Sequence, residues 1–268
     1  MNWSDWEFSP GIVIPLALSA VVYAIGSRRH VGLTGVQLSC FWLGWLSLVV
    51  ALVSPLHPLG EELFSAHMVQ HEILMLVSAP LLVVSRPLVT FLWALPFRWR
   101  RMLGQLSKRH AVHSTWIWLT APLTAWWIHA VAIWAWHAPP LMDATLRSDL
   151  VHSLQHLSFL LSALLFWWAL FYAHGRRAYG SGVLYIFTTA LHTGILGALL
   201  TFAPHPWYAP YATTTQQHGL TPLQDQQIGG LIMWVPASIV YIVAGLYLFA
   251  AWMRESDALL ERGLRGAK

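Results

Sequence analysis

Long apolar segments dominate the pattern of hydrophobic and polar positions along this chain. Seven stretches are long enough to cross a bilayer as helices, since a spanning helix needs roughly 17–25 predominantly apolar residues. They cover residues 10–26, 36–54, 63–85, 115–136, 150–172, 182–202 and 228–252, and are called spans one to seven below. The pattern predicts an all-α, polytopic membrane protein in which residues 1–268 form a single seven-helix transmembrane domain.

Composition agrees with a membrane protein. The chain is 57% hydrophobic and only 10% charged, whereas a soluble domain carries roughly a quarter charged residues. The formal net charge of +4 would be compatible with binding to nucleic acid. However, fourteen of the fifteen Lys and Arg residues follow odd-numbered spans, and Arg147 is the exception. The positive-inside rule then places the N-terminus outside and the C-terminus in the cytoplasm. We expect contact with membrane lipid and no nucleic-acid partner.

Two connections between spans have a character of their own. Segment 87–113 is basic, and Trp99, Met102 and Leu106 recur in it at helical spacing, which favours a helix lying in the membrane surface. Segment 203–227 is a long outer loop rich in Pro, Thr, Tyr and Gln. A loop of this length in a compact protein is usually functional or mobile.

Candidate chemistry lies in two histidine pairs near the outer ends of spans three and five. His67 and His71 form one pair, and His152 and His156 form the other. The i, i+4 spacing puts both imidazoles of a pair on one face of a helix. A histidine in lipid is costly unless it faces a partner or a cavity, so each pair is by default a functional-site hypothesis.

Depth along the helices relates a third histidine to these pairs. At a rise of 1.5 Å per residue, His71 lies about 12 Å, His156 about 9 Å and His129 about 10 Å below the outer ends of their spans. A shallower level holds His67, His137 and His152. We expect the side chains of His71, His129 and His156 to converge, with His67 or His152 completing the set.

The ligand inventory favours a soft or borderline metal ion. Met75 shares the stripe of His67 and His71, Met233 lies at a similar depth on span seven, and Asp225 leads into that span. Imidazole and thioether groups suit copper, and imidazole alone suits zinc, copper or haem iron. The alternative is that the histidines only form hydrogen bonds between helices. His57 lies in a predicted loop and by itself indicates little.

Three segments in this order resemble the CtaG-type bacterial cytochrome c oxidase assembly proteins, a seven-span membrane family. They are HMVQHEILMLVSAPLLVVSRP, WHAPPLMDATLRSDLVHSLQHLSFLLSALLFWW and LQDQQIGGLIMWVP. The matching motif residues are His67, His71, Met75, Pro80, His137, His152, His156, Asp225, Gln226, Gly230, Met233 and Trp234. Glu72 departs from the family pattern, which leaves open whether its carboxyl joins the site as a ligand or proton acceptor.

The resemblance implies an assembly factor in the bacterial plasma (inner) membrane, with cytochrome c oxidase subunits as partners and copper as the metal supplied to them. Three other functions compete with this one. They are a copper transporter, a metal-free docking protein and a haem-binding electron-transfer protein. In the haem protein, His71, His129 and His156 would be axial ligands, and Gly194 and Gly197 would lie beside the ring. The sequence contains no nucleophile–base pair, phosphate loop or dinucleotide motif, so we expect a non-enzyme.

Overall fold

A computed structural model describes residues 6–173 and 179–266, and this part of the chain consists of helices and turns without a β-strand. The α-helices are α1 Pro10–Ser27, α2 Gly35–Leu52, α3 Leu56–Glu62, α4 Phe64–Glu72, α5 Ala79–Ser85, α6 Pro87–Ala94, α7 Phe97–Leu106, α8 His110–Leu119, α9 Pro122–Trp136, α10 Pro139–Thr145, α11 Asp149–Trp168, α12 Tyr179–Thr201 and α13 Pro222–Gly266. Two π-helical segments, Ile73–Ser78 and Ala169–Ala173, continue α4 and α11.

Within the described residues, six helical stretches are long and apolar enough to cross a membrane, and the bent pair α8–α9 makes a seventh if it counts as one span. This confirms the all-α membrane fold. Span three runs from Phe64 to Ser85 as α4, a π segment and α5. Span seven starts earlier than expected, because the helix begins at Pro222, where Thr221 and Gln224 cap its first turn reciprocally.

Proline shapes two of the spans. Span four is broken between Leu119 and Pro122, where α8 and α9 meet at 63°. A proline inside a helix removes one backbone hydrogen bond and clashes with the preceding turn, so α9 starts anew at Pro122. In span three, the wide turn before Pro80 lets the Ala79 amide donate to the Leu74 carbonyl five residues back. A proline thus fits in span three without a break.

The basic segment 87–113 folds as α6, α7 and the start of α8. On α7, Phe97 and Trp99 are 65% and 58% exposed, so their apolar surface is available to lipid. That this helix lies in the membrane surface stays a prediction.

Segment 203–227 is folded against the bundle. It contains two 3₁₀ turns, Ala209–Ala212 and Thr215–His218, and then the first residues of α13. Tyr208 and Tyr211 are buried, and their hydroxyls donate to the carbonyls of His137 and Gly60 at 2.9 and 3.0 Å. We call the end of the bundle that this segment covers the histidine face.

The last two spans pack at close range through glycine. A side chain at Gly197 would collide with Trp234, and one at Gly230 would collide with the backbone of α12. Small residues allow such close approach of membrane helices. The region beside Gly197 is therefore filled by α13, and Gly194 faces the same tryptophan ring. Neither glycine lies beside open space for a haem ring, which corrects that expectation.

Candidate functional site

Six histidines come together at the histidine face, and we call them the histidine cluster. They are His57, His67, His71, His137, His152 and His156. The two members of each pair lie one turn apart, with ring centroids 4.3 Å apart for His67–His71 and 4.4 Å apart for His152–His156. The two pairs face each other between α4 and α11. The expected approach of His71 to His156 agrees with this geometry.

Contacts across the interface are short. The His67 and His152 rings stack at 5.0 Å, and the His71 and His156 rings meet edge to face at 5.5 Å. Five members of the cluster are at least 95% buried: His67, His71, His137, His152 and His156. Histidines that are merely structural are hydrogen-bonded when buried to this extent.

Many of these buried nitrogens lack a hydrogen-bond partner. They are His67 Nδ1, His71 Nδ1, His71 Nε2, His152 Nε2 and His156 Nε2. An unpaired buried polar atom costs about 1–3 kcal/mol, so several in one place need an explanation such as a bound ion. Among the residues that the structure describes, two groups of three histidines have ligand atoms that all lie within 4.8 Å of one another: His67, His71 and His156, and His57, His152 and His156. We call these the deep trio and the outer trio.

Hydrogen bonds fix the tautomers of two histidines. His67 Nε2 lies 3.0 Å from Gln155 Oε1; because a carbonyl oxygen only accepts, Nε2 donates and Nδ1 carries the free lone pair. His137 Nδ1 donates to the Ile133 carbonyl at 2.7 Å, which leaves the Nε2 lone pair directed at Met68 Sδ, 3.4 Å away. Such second contacts orient metal-binding imidazoles in known metal sites.

His57 is the member that sequence reasoning missed. It lies on α3, which folds back over the cluster, and its ring stacks on that of His152 at 5.0 Å. Gly60 makes room for the close approach of α3 to α4: a Cβ there would meet the Gln70 side-chain oxygen and lie 3.3 Å from His67 Cα. A lone histidine in a predicted loop gave no signal beyond its proximity to span three.

Acidic groups lie near the outer trio on its solvent-exposed side, which we call its entrance. Glu61 Oε1 lies 3.8 Å from His152 Nδ1, and this carboxyl is half exposed. Burial, and then the carboxylates of Asp149, Glu7 and Glu62, raise the pKa of Glu61. Burial lowers the pKa of His57, and the carboxylates of Glu7 and Asp149 oppose that shift. The entrance thus combines negative potential with a neutral imidazole, a combination that attracts and binds cations.

Asp225 has a different role from the one the sequence suggested. Its carboxylate, fully buried, accepts hydrogen bonds from the amides of Phe64 and Ser65 at 2.7 and 3.1 Å and from the Ser65 hydroxyl at 2.5 Å. These groups form the N-terminus of α4, which carries a partial positive charge. We therefore reassign Asp225 as a cap that holds the histidine-bearing helix in place.

His129 does not join the cluster. Its Nδ1 lies 3.0 Å from Ser162 Oγ and its ring packs on Phe166, so the expected convergence of His129 with His71 and His156 is wrong. Met68, Met75 and Met233 all belong to the hydrophobic core with Phe159 and Phe166. Of these three, Met68 has its sulfur 3.4 Å from a cluster imidazole, that of His137. Glu72 has one buried carboxyl oxygen without a hydrogen-bond partner and belongs to neither trio.

Comparison with known proteins identifies the family. Uncharacterised proteins of Mycobacterium bovis and Mycobacterium tuberculosis are each 24% identical to this chain over 278 residues, and one of Mycobacterium leprae is 25% identical over 280 residues. The alignments cover 98% of this chain and 41% of each relative, so the chain spans less than half their length. No solved structure matches. The sequence model of the cytochrome c oxidase caa3 assembly factors (Caa3_CtaG) matches residues 21–255, and the chain belongs to that family.

Proposed function

We propose that this protein binds copper in the histidine cluster and supplies it to a haem–copper cytochrome c oxidase during assembly. Family membership supports a role in oxidase assembly. The observation that carries the copper step is the set of unpaired, buried imidazole nitrogens of the deep trio, whose ligand atoms lie within 4.8 Å of one another. A bound ion would take the lone pair of one unpaired nitrogen on each of the three histidines, for which the described structure shows no other partner.

The chemistry around the cluster favours copper over harder ions. The described trios consist of imidazoles alone, and the unprotonated His137 Nε2 faces the thioether of Met68. Thioether ligands select the reduced copper ion, whereas magnesium and calcium require oxygen ligands. Acidic residues at the entrance supply attraction without completing a carboxylate site.

Orientation supports delivery on the outer side of a bacterial inner membrane. Basic residues at the opposite end of the bundle mark the cytoplasmic side by the positive-inside rule, so the histidine face is directed outward. Copper bound there is available to an oxidase subunit exposed on the same side of the membrane.

A haem-binding electron carrier is the alternative function, and the packing supports it less well. A haem requires a flat apolar space next to an axial histidine. Three apolar cavities of about 490, 520 and 580 Å³ lie elsewhere in the bundle, and none of these three has a histidine in its lining. His129, one of the axial ligands considered, instead lies within hydrogen-bonding distance of Ser162.

The test is substitution of His71 or His156 by Ala in cells that depend on the oxidase. We expect the oxidase subunits to be present but deficient in copper and inactive, because either change removes a ligand of the deep trio. His110→Ala is the matched control, since His110 is an exposed histidine outside the cluster. Normal oxidase activity in both cluster variants, with each variant protein found in the membrane, would rule out copper delivery by these histidines.

A further inference from the structure

We propose that copper moves between two positions within the cluster, the outer trio and the deep trio, by exchanging ligands around the shared His156. The outer trio accepts and releases the ion, and the deep trio retains it. This inference rests on the proposed function, because it requires that the cluster binds copper at all.

The two trios overlap in space as such a transfer requires. His156 belongs to both, and the His67 ring lies 5.0 Å from that of His152 and 5.6 Å from that of His156. An ion leaving the outer trio therefore gains His67 and His71 as it loses His57 and His152. Throughout this step His156 remains bound, so the ion is never without a protein ligand. Because only ligands are exchanged, the oxidation state of the copper ion does not change.

Only one of the two positions can be filled at a time. A neutral imidazole has one lone pair, so His156 binds one ion. A metal–nitrogen bond of about 2.0–2.1 Å requires the nitrogens of a trio to approach more closely than their present separation of up to 4.8 Å. Closing one trio around an ion draws the His156 side chain toward that trio and away from the other.

The outer trio is the weaker position. Gln70 Nε2 donates to the Ala51 carbonyl at 2.7 Å and to His57 Nδ1 at 3.2 Å. The Ala51 carbonyl holds the amide in this orientation, so His57 Nδ1 must be unprotonated to accept from it. If Nδ1 binds copper, its lone pair is no longer available to Gln70. If Nε2 binds copper, the proton moves to Nδ1, so the same hydrogen bond is lost. In the deep trio, His71 has two unpaired nitrogens and His67 has one, so copper binding at these atoms breaks no hydrogen bond.

Position relative to solvent gives the two trios different roles. His57 is only partly buried, and half-exposed Glu61 lies next to His152. His67 and His71 are 0% and 2% exposed. A soluble donor, acceptor or chelator can therefore approach the outer trio first, and the deep trio exchanges its ion through it.

Exchange kinetics test the transfer in the purified full-length protein. The protein is loaded with copper(I) anaerobically, and transfer to the coloured chelator bicinchoninate is followed by stopped flow. His57→Ala removes a ligand of the outer trio, so we expect copper to enter and leave the variant more slowly, while the intact deep trio still retains one copper per chain, as in the wild type. Release from His57→Ala should be slower by about tenfold, which corresponds to about 1.4 kcal/mol in the barrier. His205→Ala, an exposed histidine in neither trio, is the matched control.

The outcomes separate the two proposals. Copper binding at normal affinity by His57→Ala, with release at the wild-type rate, would overturn the transfer and leave copper binding intact. Two coppers bound per wild-type chain would also overturn it, because the shared ligand allows only one. Absence of copper binding by the wild type would overturn the proposed function and the transfer with it.

Discussion

Gln155 fixes which nitrogen of His67 carries the proton, and replacing it by Leu should weaken copper binding. The Gln155 carbonyl accepts from His67 Nε2 at 3.0 Å, and both residues are fully buried. Without this acceptor the proton is free to occupy Nδ1, the unpaired nitrogen whose lone pair is available to copper in the wild type. Loss of such an orienting partner typically costs about 10–100-fold in metal affinity, or about 1.4–2.7 kcal/mol.

Competition between the protein and a chromophoric copper(I) chelator measures this affinity directly. Gln226→Leu is the matched control: Gln226 is also a buried glutamine, but it contacts Trp207 and Leu200 rather than a histidine. We expect Gln226→Leu to lower thermal stability and leave copper affinity unchanged. A Gln155→Leu protein that remains folded and binds copper as tightly as the wild type would refute the tautomer argument.

Two further predictions concern the support of the site and its orientation. Asp225→Ala should lower the unfolding temperature in detergent, because loss of a helix cap costs about 0.5–2 kcal/mol. The unfolding temperature of Asp225→Asn should lie between those of Asp225→Ala and the wild type. Equal melting of all three proteins would argue against the cap. A topology reporter inserted after Ser107 should be cytoplasmic and one inserted after Thr214 exterior; the reverse result would place the histidine face in the cytoplasm.

The sequence predicted the spans and the meeting of the two histidine pairs because both depend on local properties. Hydropathy and length define a membrane helix, and i, i+4 spacing defines a helix face. Residue counting also gives the depth of a residue within its span, and it predicts His129 at about the same level as His71. Depth does not give the rotation of a helix about its axis. In the structure, the packing of α9 directs His129 toward Ser162 instead.

The remaining differences arise from tertiary contacts that no local pattern encodes. His57 reaches the cluster through the packing of α3 on α4, where Gly60 leaves room for the Gln70 side chain and Tyr211 donates to the Gly60 carbonyl. Asp225 has the residue type of a metal ligand, but the amides of Phe64 and Ser65 use its oxygens. Which polar atoms remain unpaired becomes visible only after the helices are assembled.

Copper content and the visible spectrum of the purified protein decide whether the histidine cluster binds copper. We expect about one copper per wild-type chain, no Soret band, and loss of the copper in His71→Ala and His156→Ala while both variants remain folded in the membrane. A Soret band in place of copper would indicate the haem-binding alternative. A folded wild-type protein that binds neither copper nor haem would contradict the metal function of the histidine cluster.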